Sequence, residues 1–128
     1  MSYYLSKVFP ISFEEAVKKT REALRAEGFG VLTEIDVKTT LKQKLDADFR
    51  KYIILGACNP SYAFRALQAE PNIGLLLPCN VVVQDKEDGT VAISAIDPTV
   101  AMQVVDKPHL AGIAREVKES LRRALDSL

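Results

Sequence analysis

Tyr52-Ile53-Ile54-Leu55-Gly56-Ala57-Cys58-Asn59-Pro60 is the stretch that decides how this chain folds. The short, nearly continuous apolar run from Tyr52 to Cys58 predicts a central strand buried on both faces. Asn59-Pro60 then supplies an N-cap followed by a first-turn proline, so a helix begins where the strand ends. Ala63, Phe64 and Leu67 give that helix an inner face, and Glu70-Pro71 closes it. Cys58 therefore sits at a strand-to-helix junction.

Upstream, Tyr3 to Phe9 is rich in aromatic and β-branched residues and stops at Pro10, which predicts a first strand. Ser12 and Glu15 form a capping box, and Phe13, Ala16, Val17, Thr20 and Leu24 recur at helical spacing until Gly28. Phe29, Val31, Thr33 and Ile35 alternate with Gly30, Leu32, Glu34 and Asp36, predicting a second strand with one buried face. Val37, Leu41 and Leu45 suit a short helix, against which the β-branched pair Thr39-Thr40 argues.

Downstream, Leu75 to Gln84 reads as a strand in which Pro78 predicts an edge position or a bulge, because proline cannot donate to a ladder. Asp88-Gly89 turns it back into Thr90 to Ile96 as a hairpin, and Asp97-Pro98 ends that strand. From Pro108 onward, Leu110, Ile113, Val117, Leu121 and Leu125 form an apolar stripe along a final helix. The predicted fold class is α+β, with a mixed, largely antiparallel sheet and helices packed against it. Residues 1–128 are expected to form one domain, a length that buries enough surface for a core without staples.

Composition excludes several functions. Seventeen basic residues balance 17 acidic ones without a charged tail, whereas phosphate binding needs a clustered basic excess, so nucleic acid is not an expected partner. The longest apolar stretch, Ile73 to Val83, is interrupted by Pro78 and Asn80, which argues against a membrane span. The N-terminus lacks a basic start followed by an apolar segment, and two cysteines do not make a disulfide framework. A cytoplasmic, reducing location is the expectation.

Two Cys-Asn dipeptides, Cys58-Asn59 and Cys79-Asn80, are the sharpest chemical feature. A helix N-terminus favours the thiolate of Cys58, although free cysteine is also among the most buried residue types and suits an inert core role. Cys79 follows Pro78, where a distorted backbone re-aims side chains. Asn59 has a structural role available as the N-cap. His109 and Met102 are the remaining soft or borderline donors; two Cys and one His fall short of a structural zinc site, while Cys with Met favours copper(I). Asp97 stands at the end of the sheet near Met102, where a turn-forming role is equally available to it. No phosphate loop, nucleophile elbow or zinc-protease motif is present.

Taken together, Gly56-Ala57-Cys58-Asn59-Pro60, Leu76-Leu77-Pro78-Cys79-Asn80-Val81 and Asp97-Pro98 with Met102 beyond resemble the domain of unknown function 302 family across essentially the whole chain. That resemblance implies a small α+β fold like a single TATA-binding-protein-like repeat, commonly self-associated as a homodimer, with no established activity; which cofactor the chain would take, the sequence leaves unknown. The first functional expectation is a binding module whose pocket contains Cys58, Asn59, Cys79 and Asn80, with Asp97 and Met102, and takes a small ligand or soft metal. The alternatives are a homodimeric interaction domain with core cysteines, and a thiol-dependent redox or sulfur-handling enzyme with Cys58 as nucleophile and Cys79 as resolving thiol. No complete catalytic set supports the last.

Overall fold

Apolar periodicity becomes a three-helix layer on one face of a sheet in the computed structural model, which describes residues 2–128. The strands are β1 (Tyr4–Phe9), β2 (Gly30–Asp36), β3 (Tyr52–Cys58), β4 (Cys79–Asp85) and β5 (Val91–Ile96). The helices are α1 (Phe13–Ala26), α2 (Val37–Leu45), α3 (Pro60–Ala69), a short α4 (Pro98–Ala101) and α5 (Pro108–Asp126). Single 3-10 segments cover Pro71–Leu76 and Met102–Val104. The strand order is β1-β5-β4-β3-β2, and every pairing is antiparallel, where the sequence predicts a mixed, largely antiparallel sheet.

The sheet register explains which side chains are covered. Leu55 opposes Val81, which opposes Ala95; Ile53 opposes Val83, which opposes Ile93, so these residues share one face and are buried. Against that face lie Ala16, Thr20 and Leu24 of α1, Ala66 of α3 and the predicted stripe of α5, Leu110, Ile113, Val117, Leu121 and Leu125, all buried. Burying each large apolar side chain contributes about 1.5–3 kcal/mol. The surface ion pairs of α5, such as Arg122–Glu119, are worth about 0–1 kcal/mol each, so the stripe docks the helix.

Helix α1 starts where Ser12 accepts the Glu15 N–H at 3.1 Å. It ends in a Schellman motif: Phe29 N–H donates to Leu24 O, Gly28 N–H donates to Arg25 O, and Gly28 takes φ +86°. Helix α2 also forms, capped by Asp36 accepting from Thr39 N–H at 3.0 Å, which offsets the reluctance of its two threonines.

Four expectations differ from the structure. Strand β3 is buried mainly on the helix side, and Tyr52 and Ile54 on the opposite face are only half-buried. On β2 only Val31 is half-buried, because β2 is an edge strand whose register shifts between Val31 and Thr33; Ile35 is 48% exposed. Pro78 marks neither an edge nor a bulge: β4 is an interior strand that starts just after it, at Cys79, and the Leu77-Pro78 peptide is cis. In α3 the inner face is Tyr62, Ala63 and Ala66, whereas Phe64 and Leu67 are exposed.

The reverse face of the sheet has a tight point at Gly56. A Cβ added there would overlap Thr33 Oγ1 and lie 2.8 Å from Pro78 Cγ. Thr33 is stiff at χ1 and Pro78 is a ring, so neither yields cheaply. Gly56→Ala is expected to destabilise the chain by about 1–3 kcal/mol in urea denaturation. Adding Thr33→Ala should restore only part of that loss, because the Pro78 contact persists; wild-type stability of the single variant would contradict the packing described.

Candidate functional site

At the end of the sheet where β3 passes into α3, the helix layer leaves a cavity of about 40 Å³. Its wall includes Cys58 and Asn59 from the β3–α3 junction, Tyr62 and Ala66 from α3, Cys79 at the start of β4, and Met102 beyond α4. Phe29, Leu77, Ile113 and Val117 complete an otherwise apolar lining. A second, outer cleft of about 260 Å³ shares Leu77, Pro78, Cys79, Pro98 and Met102 with the cavity. Those shared residues lie between the cavity and the outer cleft.

The two thiols reach the cavity by different routes. Cys79 opposes Ala57 in the β3–β4 ladder and so faces the helices. Cys58 is the last residue of β3, immediately before the helix turn. Both are free and half-buried, and among the described residues neither sulfur has a hydrogen-bond partner. Burial pushes the Cys58 thiol above its ordinary range, the opposite of the lowering predicted from the helix end. Burial pushes Cys79 further, to about 11, with charge on Cys58 adding to the effect. At neutral pH Cys79 is therefore held as the thiol, a poor starting point for nucleophilic or redox work.

Asn59 occupies the N-cap position of α3 but makes no side-chain cap. Its Nδ2 instead donates to Glu27 O at 3.5 Å and lies 3.1 Å from where a Gly28 Cβ would be. The side chain thus links the α1–β2 turn to the β3–α3 junction and leaves the first turn of α3 without a side-chain cap.

Asn80 and Asp97 lie outside the cavity lining. Asn80 is exposed on the uncovered sheet face opposite Gly56 and borders only the outer cleft and that face. Asp97 is buried and fully engaged: Oδ1 accepts from Thr99 N at 2.9 Å and Thr99 Oγ1 at 2.6 Å, and Oδ2 pairs with Lys118 Nζ at 2.9 Å. It caps α4 and ties it to α5. His109 is exposed and does not line the cavity. No group of three or more His, Cys, Asp or Glu side chains could hold a metal among the described residues. Tyr62 is the lining residue the sequence leaves unmarked; its aromatic ring one turn after Asn59 was the available signal.

Burial acts to raise the Asp97 pKa, but hydrogen bonds from Thr99 and Lys118 outweigh it and hold the group below its ordinary value. A depressed folded-state pKa gives stability that is complete above the unfolded value, about 3.9, and is lost as pH falls through the folded value. Asp97→Asn is therefore expected to cost about 2 kcal/mol at pH 7. In denaturation curves the gap between wild type and variant should shrink below about pH 4 and stay constant between pH 5 and 8.

Among the described residues no helix is long and apolar enough to cross a membrane. Residues 5–128 match the family described as "Domain of unknown function DUF302". An uncharacterized protein of Aquifex aeolicus (strain VF5) is 30% identical over 94 residues, covering 73% of this chain and 59% of that relative, so the match spans little more than half of the relative's length. The crystal structure of an uncharacterized conserved DUF302 protein from Bacillus stearothermophilus is similar at a TM-score of 0.91 and 31% identity, covering 98% of each chain. The cysteine-lined cavity therefore lies within a sequence and fold that match this family almost end to end, and the chain belongs to the DUF302 family.

Proposed function

We propose that the chain is a binding module that holds a small, soft ligand in the cavity bounded by Cys58, Cys79, Met102 and Tyr62. The observation that carries this reading is convergence: both cysteines of the chain and Met102 line one small, otherwise apolar space, although they come from three separate segments. Pockets that bind small molecules combine such apolar walls with a few placed functional groups. The raised thiol pKa values weigh against the redox or sulfur-handling alternative, because both cysteines are mainly protonated at neutral pH. Free thiols fit a reducing, cytoplasmic location.

Native mass spectrometry of protein purified gently without oxygen tests the proposal. The expected result is a bound mass that is lost in Ala66→Leu, a variant that fills the cavity from α3 while leaving both cysteines in place. Protein that emerges at its bare chain mass and takes up no copper(I) added without oxygen, or a bound mass unaffected by filling the cavity, contradicts the proposal.

We also propose that a second copy of the chain covers the sheet face opposite the helices. Tyr4, Val8 and Ile35 there are 45%, 57% and 48% exposed, interleaved with the neutral polar groups Ser6, Ser94, Asn80 and Gln84. An uncovered sheet face whose middle mixes apolar and uncharged polar side chains, with the cations Arg50 and Lys86 only at the strand ends, suits an isologous partner. Sedimentation equilibrium is expected to give a dimer for the wild type and a monomer for Val8→Lys with Ile35→Lys. A wild-type monomer at high micromolar concentration contradicts this arrangement.

A further inference from the structure

We propose that Cys58, Cys79 and Met102 form a low-coordinate site for a monovalent soft metal ion, copper(I). The inference rests on the binding reading above and specifies its ligand. Cys58, Cys79 and Met102 all line the same cavity of about 40 Å³, which has room for an ion. Thiolate and thioether donors select copper(I), whereas zinc completes a tetrahedron of N, S or O ligands. That set is missing: the buried carboxylate of Asp97 is taken by Lys118 and Thr99, Asp106 and His109 are exposed, and no triad of His, Cys, Asp or Glu exists among the described residues. An apolar wall suits an ion content with two or three ligands.

Charge and protons balance without a redox step. Two neutral thiols and one Cu⁺ give a bis-thiolate complex of charge −1 and release two protons, with the Met102 thioether as a neutral third donor and copper remaining in the +1 state. The first turn of α3, which Asn59 leaves without a side-chain cap, presents free N–H groups and the positive end of a ten-residue helix beside Cys58. Those groups offset the negative charge of the complex. Asn59 turning away to Glu27 thereby gains a consequence for the site.

Titration of reduced chain with copper(I) under anaerobic conditions, against a chromophoric copper(I) chelator, tests the site. One ion per chain is expected, with the conditional affinity rising about hundredfold per pH unit near neutrality because two protons leave. Cys58→Ser and Cys79→Ser should each lower the affinity at least hundredfold, and Met102→Leu, a volume-conserving change that leaves the fold intact, about tenfold. His109→Ala should leave it unchanged, and X-ray absorption should find a sulfur-only shell. Affinity unaltered in Cys79→Ser and in Met102→Leu, or zinc binding as tightly as copper(I), overturns the assignment. A purified chain that carries an organic mass in the cavity which copper(I) does not displace overturns the metal assignment while leaving the binding reading intact; bare chain that takes up no copper(I) overturns both.

Discussion

The close approach of Thr33, Gly56 and Pro78 is the constraint on which the functional end of the molecule depends. Only a residue without a Cβ fits between a β-branched side chain on β2 and a proline ring ahead of β4. Because Gly56 allows that approach, β3 pairs on both sides up to its last residues, and Cys79 opposes Ala57 with its side chain toward the helices. Cys58 then falls at the point where the strand gives way to α3. The cavity is what remains when α3 and α5 pack over this junction through small residues, Ala63 and Ala66 on one helix and Ala114 on the other.

Much of the fold is legible in the sequence because single segments carry complete local signals. The capping box at Ser12 and Glu15, the Gly28 stop, the apolar run of β3 and the five-residue stripe of α5 each state both an element and its orientation. The failures occur where orientation depends on distant neighbours. Thr33 and Ile35 alternate as a half-buried strand should, but β2 lies at the sheet edge with a register shift, so no helix covers them. Phe64 and Leu67 are the large aliphatic and phenyl side chains of α3, yet both are exposed, and the helix turns Tyr62, Ala63 and Ala66 inward. The brief α4 has no periodicity to read; it exists because Asp97 caps it and Lys118 holds Asp97 in place.

The candidate site was legible in part for the same reason. Cys58, Cys79 and Met102 stand out by residue type, and their shared cavity follows from a strand pairing that spacing alone does not specify. Asp97 and Asn80 have equally conspicuous neighbours in the sequence, but one is consumed by an ion pair with a residue on α5 and the other alternates to the opposite sheet face. Asn59 has the residue type of an N-cap and sits in its position, and its side chain is diverted by Gly28 and Glu27, partners that come from a different loop. Burial likewise raises the Cys58 thiol, against the lowering predicted from the helix end, and burial is decided only in the packed structure.

Cys58, Cys79 and Met102, from three separate segments, line one cavity. Nuclear Overhauser contacts of the Met102 ε-methyl group test it most directly. The account predicts cross-peaks from that methyl to the β-protons of Cys79 and of Cys58, and to the ring of Tyr62. A Met102 methyl with ordinary solvent-exposed relaxation and no contact to either cysteine would contradict it.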